Sequence, residues 1–104
     1  MREQIAKKYI KGLSQVVKVG EMEHFLSQLI EIKKGFASQK FIEIVTSPYV
    51  SKQKKEEFLL SLIDKKSDKH LINFLKLIVQ NGRIELIPDI CHEIENAIAV
   101  SKNR

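Results

Sequence analysis

The chain has one cysteine, Cys91, so no intramolecular disulfide can form, which suits a reducing compartment. No apolar run approaches the roughly 20 residues that a membrane-spanning helix requires. The start, Met1-Arg2-Glu3-Gln4, lacks the apolar core of a secretory signal. The four glycines stand singly, so no phosphate-cradling loop is present. His24, His70 and His92 are far apart, with no His pair at i,i+4 and no Cys pair, so neither metal nor cofactor is expected. Arginine is scarce: 15 of the 18 basic residues are Lys, which excludes a dense Arg patch for reading phosphate.

What is present fits one globular domain. A chain of 104 residues can bury roughly 65% of its unfolded surface, and is too short for two ordinary domains. Its charge is uneven. Residues 1–55 hold 11 Lys/Arg against 5 Asp/Glu, whereas residues 56–104 hold 7 against 8. A basic half can attract nucleic acid or an anionic surface, but scattered lysines more commonly form the solvated faces of helices.

Helical spacing runs the length of the chain. Ile5 to Val17 forms a first helix, with Val19-Gly20 expected to end it. Met22 to Ile32 marks a second, faltering near Gly35. Phe41-Ile42-Glu43-Ile44-Val45 fits strand or helix by pattern, and is expected to be a short helix because no partner strand is evident. Thr46-Ser47-Pro48 is a break. Ser51 caps a fourth helix, Lys52 to about Asp64, burying Phe58, Leu59, Leu62 and Ile63. Ser67 or Asp68 caps a fifth, which stops at Asn81-Gly82. The sixth begins near Ile84, accepts Pro88 in its first turns, and continues through Ile90, Ile94, Ala97 and Ile98. The expectation is an all-α, compact six-helix bundle.

Nothing in this pattern argues for catalysis. Cys91-His92-Glu93 are adjacent, and neighbours on a helix point about 100° apart. A small buried Cys beside a solvated His explains them better than a nucleophile. Acidic residues are scattered, without the apolar setting that raises a carboxylate pKa. Nucleic-acid recognition is also poorly served. The tightest helix–helix junction, Asn81-Gly82-Arg83, opens onto Ile84, Glu85, Leu86 and Ile87, unsuited to a major groove. A small basic helical nucleic-acid-binding or regulatory module is the alternative class.

Two helices carry more apolar surface than a bundle member needs. Seven of the nine residues 71–79 are apolar, sweeping an arc of roughly 220°, where a stripe about 100° wide would suffice. Leu71, Phe74, Leu75 and Ile78 lie at its centre, and Leu77 at its fringe beside Asn73 and Gln80. On the first helix the face is about 160° wide with two edges. Ala6, Ile10, Leu13 and Val17 follow one edge; Ile5, Tyr9, Gly12 and Val16 follow the other. Gly within a helix costs roughly 1 kcal/mol relative to Ala, and close approach of another backbone is a common reason to carry one.

Four blocks resemble one family in order and spacing. Ile5-Ala6-Lys7-Lys8-Tyr9-Ile10-Lys11-Gly12-Leu13 is similar to the first helix of the delta subunit of F-type ATP synthases, called the oligomycin sensitivity-conferring protein in mitochondria. Ser47-Pro48-Tyr49-Val50-Ser51-Lys52, Asn73-Phe74-Leu75-Lys76-Leu77-Ile78 and Asn81-Gly82-Arg83-Ile84-Glu85-Leu86-Ile87-Pro88 resemble three further family stretches. The resemblance implies that residues 1–104 are the single amino-terminal helical domain of such a subunit, with the stalk-binding second domain absent. It implies a non-catalytic stator part, peripheral on the cytoplasmic face of a bacterial inner membrane without direct membrane insertion. Its partners would be the amino-terminal helix of an alpha subunit and, through the second domain, the b subunits of the peripheral stalk. No nucleic acid is involved.

The resemblance also implies a partner groove between the first and fifth helices, where the surplus apolar edges lie. The expected contacts are Ile5, Lys8, Tyr9, Gly12 and Val16 on the first helix, and Asn73, Lys76, Leu77 and Gln80 on the fifth. A docked helix would anchor through i, i+3, i+4 and i+7 side chains. Lys8, Lys11 and Lys76 would steer acidic groups of the partner. Arg83, just past a helix end, could meet the last carbonyls or pair with Glu85.

Overall fold

The computed structural model describes residues 2–63 and 69–102, and every regular element among them is helical. The helices are α1 Arg2–Leu13, α2 Val19–Lys34, α3 Gln39–Thr46, α4 Lys52–Leu60, α5 Lys69–Gln80 and α6 Ile87–Lys102. Two 3-10 turns, Gly35–Ala37 and Ile84–Leu86, precede α3 and α6. The all-α expectation holds.

Local chemistry explains most boundaries. Ser38 Oγ accepts from the Phe41 amide at 3.4 Å and Ser51 Oγ from the Lys54 amide at 3.2 Å, each satisfying a donor that a helix start leaves over. The first cap settles the strand-or-helix ambiguity of residues 41–45: Phe41 and Val45, four apart, are both buried on one side of α3. Ser47 is extended ahead of Pro48, as a residue before proline prefers. α5 ends in a Schellman turn: the Arg83 amide donates to the Ile78 carbonyl at 2.9 Å and the Gly82 amide to the Val79 carbonyl at 3.0 Å. Gly82 sits at φ 66°, which a side chain would strain.

Several boundaries differ from expectation. α1 stops at Leu13, not Val17, because Gln15 and Val16 donate to the carbonyls three residues back, tightening the last turn. Gly20 therefore lies in the first turn of α2 and caps nothing. α4 ends at Leu60, where Ser61 Oγ bonds back to the Phe58 carbonyl and the chain turns out of helical register. Leu62, expected inside, is consequently exposed. Ala97 is exposed although it shares a face of α6 with buried Ile90 and Ile94. The expected end of the fourth helix at Asp64 and the Ser67 or Asp68 cap lie outside the described residues.

α6 is the spine. α1 and α2 both pack along it, and α4 packs along α5. Ile87, Ile90, Cys91 and Ile94 of α6 are fully buried against Phe25, Leu29 and Ile32 of α2 and Ala6 of α1. Two aromatic groups tie the remaining parts. Phe41 meets Phe36 and Phe58 at ring separations of 5.0 and 5.4 Å, joining the first 3-10 turn, α3 and α4. A Cβ at Gly35 would stand 2.6 Å from the Phe41 ring, so only glycine admits that approach. Phe74 of α5 receives Phe25 of α2 at 5.6 Å and Tyr9 of α1 at 6.0 Å, both edge-on.

Candidate functional site

α1 and α5 are both held by other helices and meet mainly through side chains. Tyr9 is the bridge. Its ring packs edge-on against Phe74 at an interplanar angle of 88°, and its hydroxyl accepts a hydrogen bond from Asn81 Nδ2 at 2.9 Å. On one side of this bridge lies an open groove of about 440 Å³, lined by Lys8, Tyr9, Gly12, Leu13 and Val16 from the α1 side and His70, Asn73, Phe74 and Leu77 from α5. A second hollow of about 530 Å³ shares Lys8 and Tyr9 and is completed by Ile5, Asn81 and Arg83. Together they form one furrow, apolar towards Val16 and Leu77 and cationic towards Arg83.

The angular reading of α1 agrees with this geometry in part. Ala6, Leu13 and Val17 are buried and Gly12 and Val16 (55%) exposed, but Ile5 and Tyr9 of the outer edge are half-buried, as Ile10 of the inner edge is. Nothing lies within 4 Å of where a Gly12 Cβ would be, so close packing inside this domain does not account for the glycine. On α5, Leu71, Phe74, Leu75, Ile78 and Val79 are buried, and Leu77 is 49% exposed at the groove. An isolated exposed leucine is ordinary; Leu77 instead lines one wall of an open groove whose other wall carries Gly12 and Val16.

Seven of the nine expected contact residues come together in the furrow: Ile5, Lys8, Tyr9, Gly12, Val16, Asn73 and Leu77. Lys76 and Gln80 are exposed on α5 and line neither hollow. Leu13 and Phe74 enter as the floor of the groove. His70, Asn81 and Arg83 enter as its ends, and their participation depends on where α5 starts and stops against α1. The one cue in the chain was Tyr9, whose hydroxyl needs a polar partner when its ring packs.

Arg83 does not serve the end of α5 in the way its position suggested. The last four carbonyls of that helix already accept hydrogen bonds: Leu77 from the Asn81 amide, Ile78 from the Arg83 amide, Val79 from the Gly82 amide, and Gln80 from Lys52 Nζ at 2.8 Å. The cation that meets the negative end of the helix is Lys52 of α4.

The remaining reactive groups are accounted for structurally. Burial pushes the Cys91 thiol up to about 12, opposed in part by Lys33 and reinforced by Glu95. A thiol so placed has almost no thiolate at neutral pH and is a packing residue, with exposed His92 beside it. Among the described residues, no three His, Cys, Asp or Glu side chains converge to hold a metal ion.

The chain is similar to known proteins along nearly all of its length. A family model described as ATP synthase delta (OSCP) subunit matches residues 5–104. The ATP synthase subunit delta of Campylobacter hominis is 41% identical over 103 residues, covering 99% of this chain and 58% of that protein. That of Campylobacter concisus is 42% identical over 95 residues, 91% of this chain and 53% of the relative. That of Wolinella succinogenes is 35% identical over 103 residues, 99% of this chain and 58% of the relative. The chain thus spans little more than half the length of these relatives. No solved structure matches it.

Proposed function

The chain belongs to the ATP synthase delta (OSCP) subunit family, and from that premise we propose that it acts as a non-catalytic stator part, the amino-terminal domain of such a subunit. In this reading residues 1–104 form one helical domain that receives the amphipathic amino-terminal helix of an alpha subunit between α1 and α5. The b subunits of the peripheral stalk are engaged by the rest of the family's longer chain. The assembly places the domain peripherally, at the cytoplasmic face of a bacterial inner membrane. No helix among the described residues is long and apolar enough to cross a membrane.

The observation that carries this reading is the furrow itself. Its apolar wall, with Leu77 and Val16 about half exposed, suits a helix presenting residues at i, i+3, i+4 and i+7. The inner part of that wall, Leu13 and Phe74, belongs to the domain's own core, and Leu77 and Val16 extend it outward to solvent.

Titration with a peptide of the alpha subunit's amino-terminal helix tests the proposal. Leu77→Asp and Gly12→Asp should each abolish binding, while circular dichroism and melting stay nearly unchanged, since both positions face solvent in the free domain. Unchanged affinity in both variants would place the partner elsewhere. Salt separates this from a basic nucleic-acid module. Apolar docking should show only a shallow salt dependence, whereas phosphate binding collapses steeply as salt rises.

A further inference from the structure

We infer that the hollow between Lys8 and Arg83 is a subsite for acidic side chains of the docked helix, so that the furrow reads charge as well as apolar surface and sets which way along it the partner lies. This rests on the proposed docking between α1 and α5 and adds to it a chemical requirement on the partner. Three observations carry it. First, the hollow adjoins the apolar groove, since Lys8 and Tyr9 line both. Second, its lining combines two cations, Lys8 and Arg83, with Asn81, while the groove's far end is lined by Leu77 and Val16.

Third, the local field favours an anion there. The end of a helix ordinarily repels anions through its bare carbonyls. Here all four terminal carbonyls of α5 accept hydrogen bonds, one of them from Lys52 Nζ. Arg83 contributes only its backbone amide to that arrangement, so its guanidinium is not required to cap the helix. The nearest acidic residue in sequence, Glu85, lines a different hollow with Lys52 and Lys55. Guanidinium also offers a carboxylate a paired set of donors, which lysine cannot.

The spacing is specific. Ile5 marks the cationic hollow and Gly12 the apolar groove on the same helix, a separation of about 10 Å at 1.5 Å rise per residue. The partner therefore needs acidic residues about two turns beyond its apolar anchors.

Two synthetic helical peptides test this against the 104-residue chain. They share the same apolar anchors, and one carries two glutamates two turns away where the other carries glutamines. The chain should bind the glutamate peptide roughly five- to tenfold more tightly at low salt, with the preference shrinking as salt rises. Arg83→Gln should erase most of that preference without weakening the glutamine peptide, because the substitution keeps the backbone amide that closes the turn. Lys8→Gln, on the opposite wall, provides a second reading should the first variant misfold. Arg83→Glu should transfer the preference to a peptide with lysines in place of the glutamates. Equal affinity for the glutamate and glutamine peptides, with both lost in Leu77→Asp, would overturn the subsite and leave the docking groove standing. Failure of every peptide to bind would remove both.

Discussion

α2 and α5 both present wide apolar faces, and they end differently. The face of α2 is closed against α6: Phe25, Leu29 and Ile32 are sealed, and only a shallow hollow of about 310 Å³ remains at its outer edge, beside Leu26, Ile30 and Ile98. The face of α5 is closed at its centre, where Phe25 packs on Phe74, but left open at its fringe, where Tyr9 bridges α1 to Phe74 and Asn81. Hydrophobicity does not separate the two. What separates them is whether another helix lies alongside at packing distance, about 8–10 Å between axes.

The sharpest contrast lies within α5 itself, between two leucines two positions apart. Leu75→Ala should destabilise the domain by about 2–5 kcal/mol, since it empties a fully buried site. Leu77→Ala should stay within about 0.5 kcal/mol. Urea midpoints measure both, and comparable losses would mean that the open fringe is core after all. A smaller effect is expected where the helix stops. Gly82→Ala forces a side chain into the left-handed region and should cost about 1–2 kcal/mol, loosening the turn that presents Asn81 and Arg83.

The closed seam carries a pH signature of its own. Cys91 on α6 holds its proton well above its ordinary value of 9.0 because it is buried. Between about pH 9 and pH 12 the unfolded chain releases that proton while the folded chain keeps it, so this thiol's contribution to stability falls as pH rises. The slope is at most about 1.4 kcal/mol per pH unit. Comparing the alkaline slope of the parent with that of Cys91→Ala isolates it; identical slopes would mean that the thiol is solvated.

The helices and their buried faces were legible because a period of 3.6 assigns each residue an angle before any neighbour is known. That is why Leu77 and Gly12 could be placed at open edges, and Leu71, Phe74 and Ile78 at the centre. Angle alone does not say where a helix stops. The end of α1 at Leu13 is set by hydrogen bonds three residues back, and that of α4 by Ser61, so Gly20 and Leu62 were misplaced. Nor does angle reveal what another helix brings near. Asn81 entered the site through Tyr9, and Lys52, 28 residues before Gln80, took the capping position expected of Arg83.

Tyr9 acts as a strut. With its ring lodged edge-on against Phe74 and its hydroxyl tethered to Asn81, it keeps the two walls apart and at the same time prevents them from spreading. If a helix docks between these walls as proposed, it meets a cleft whose walls are already tied together, and little rearrangement of the host is expected. Such an encounter should give a negative heat-capacity change set by the apolar area covered, with little contribution from folding.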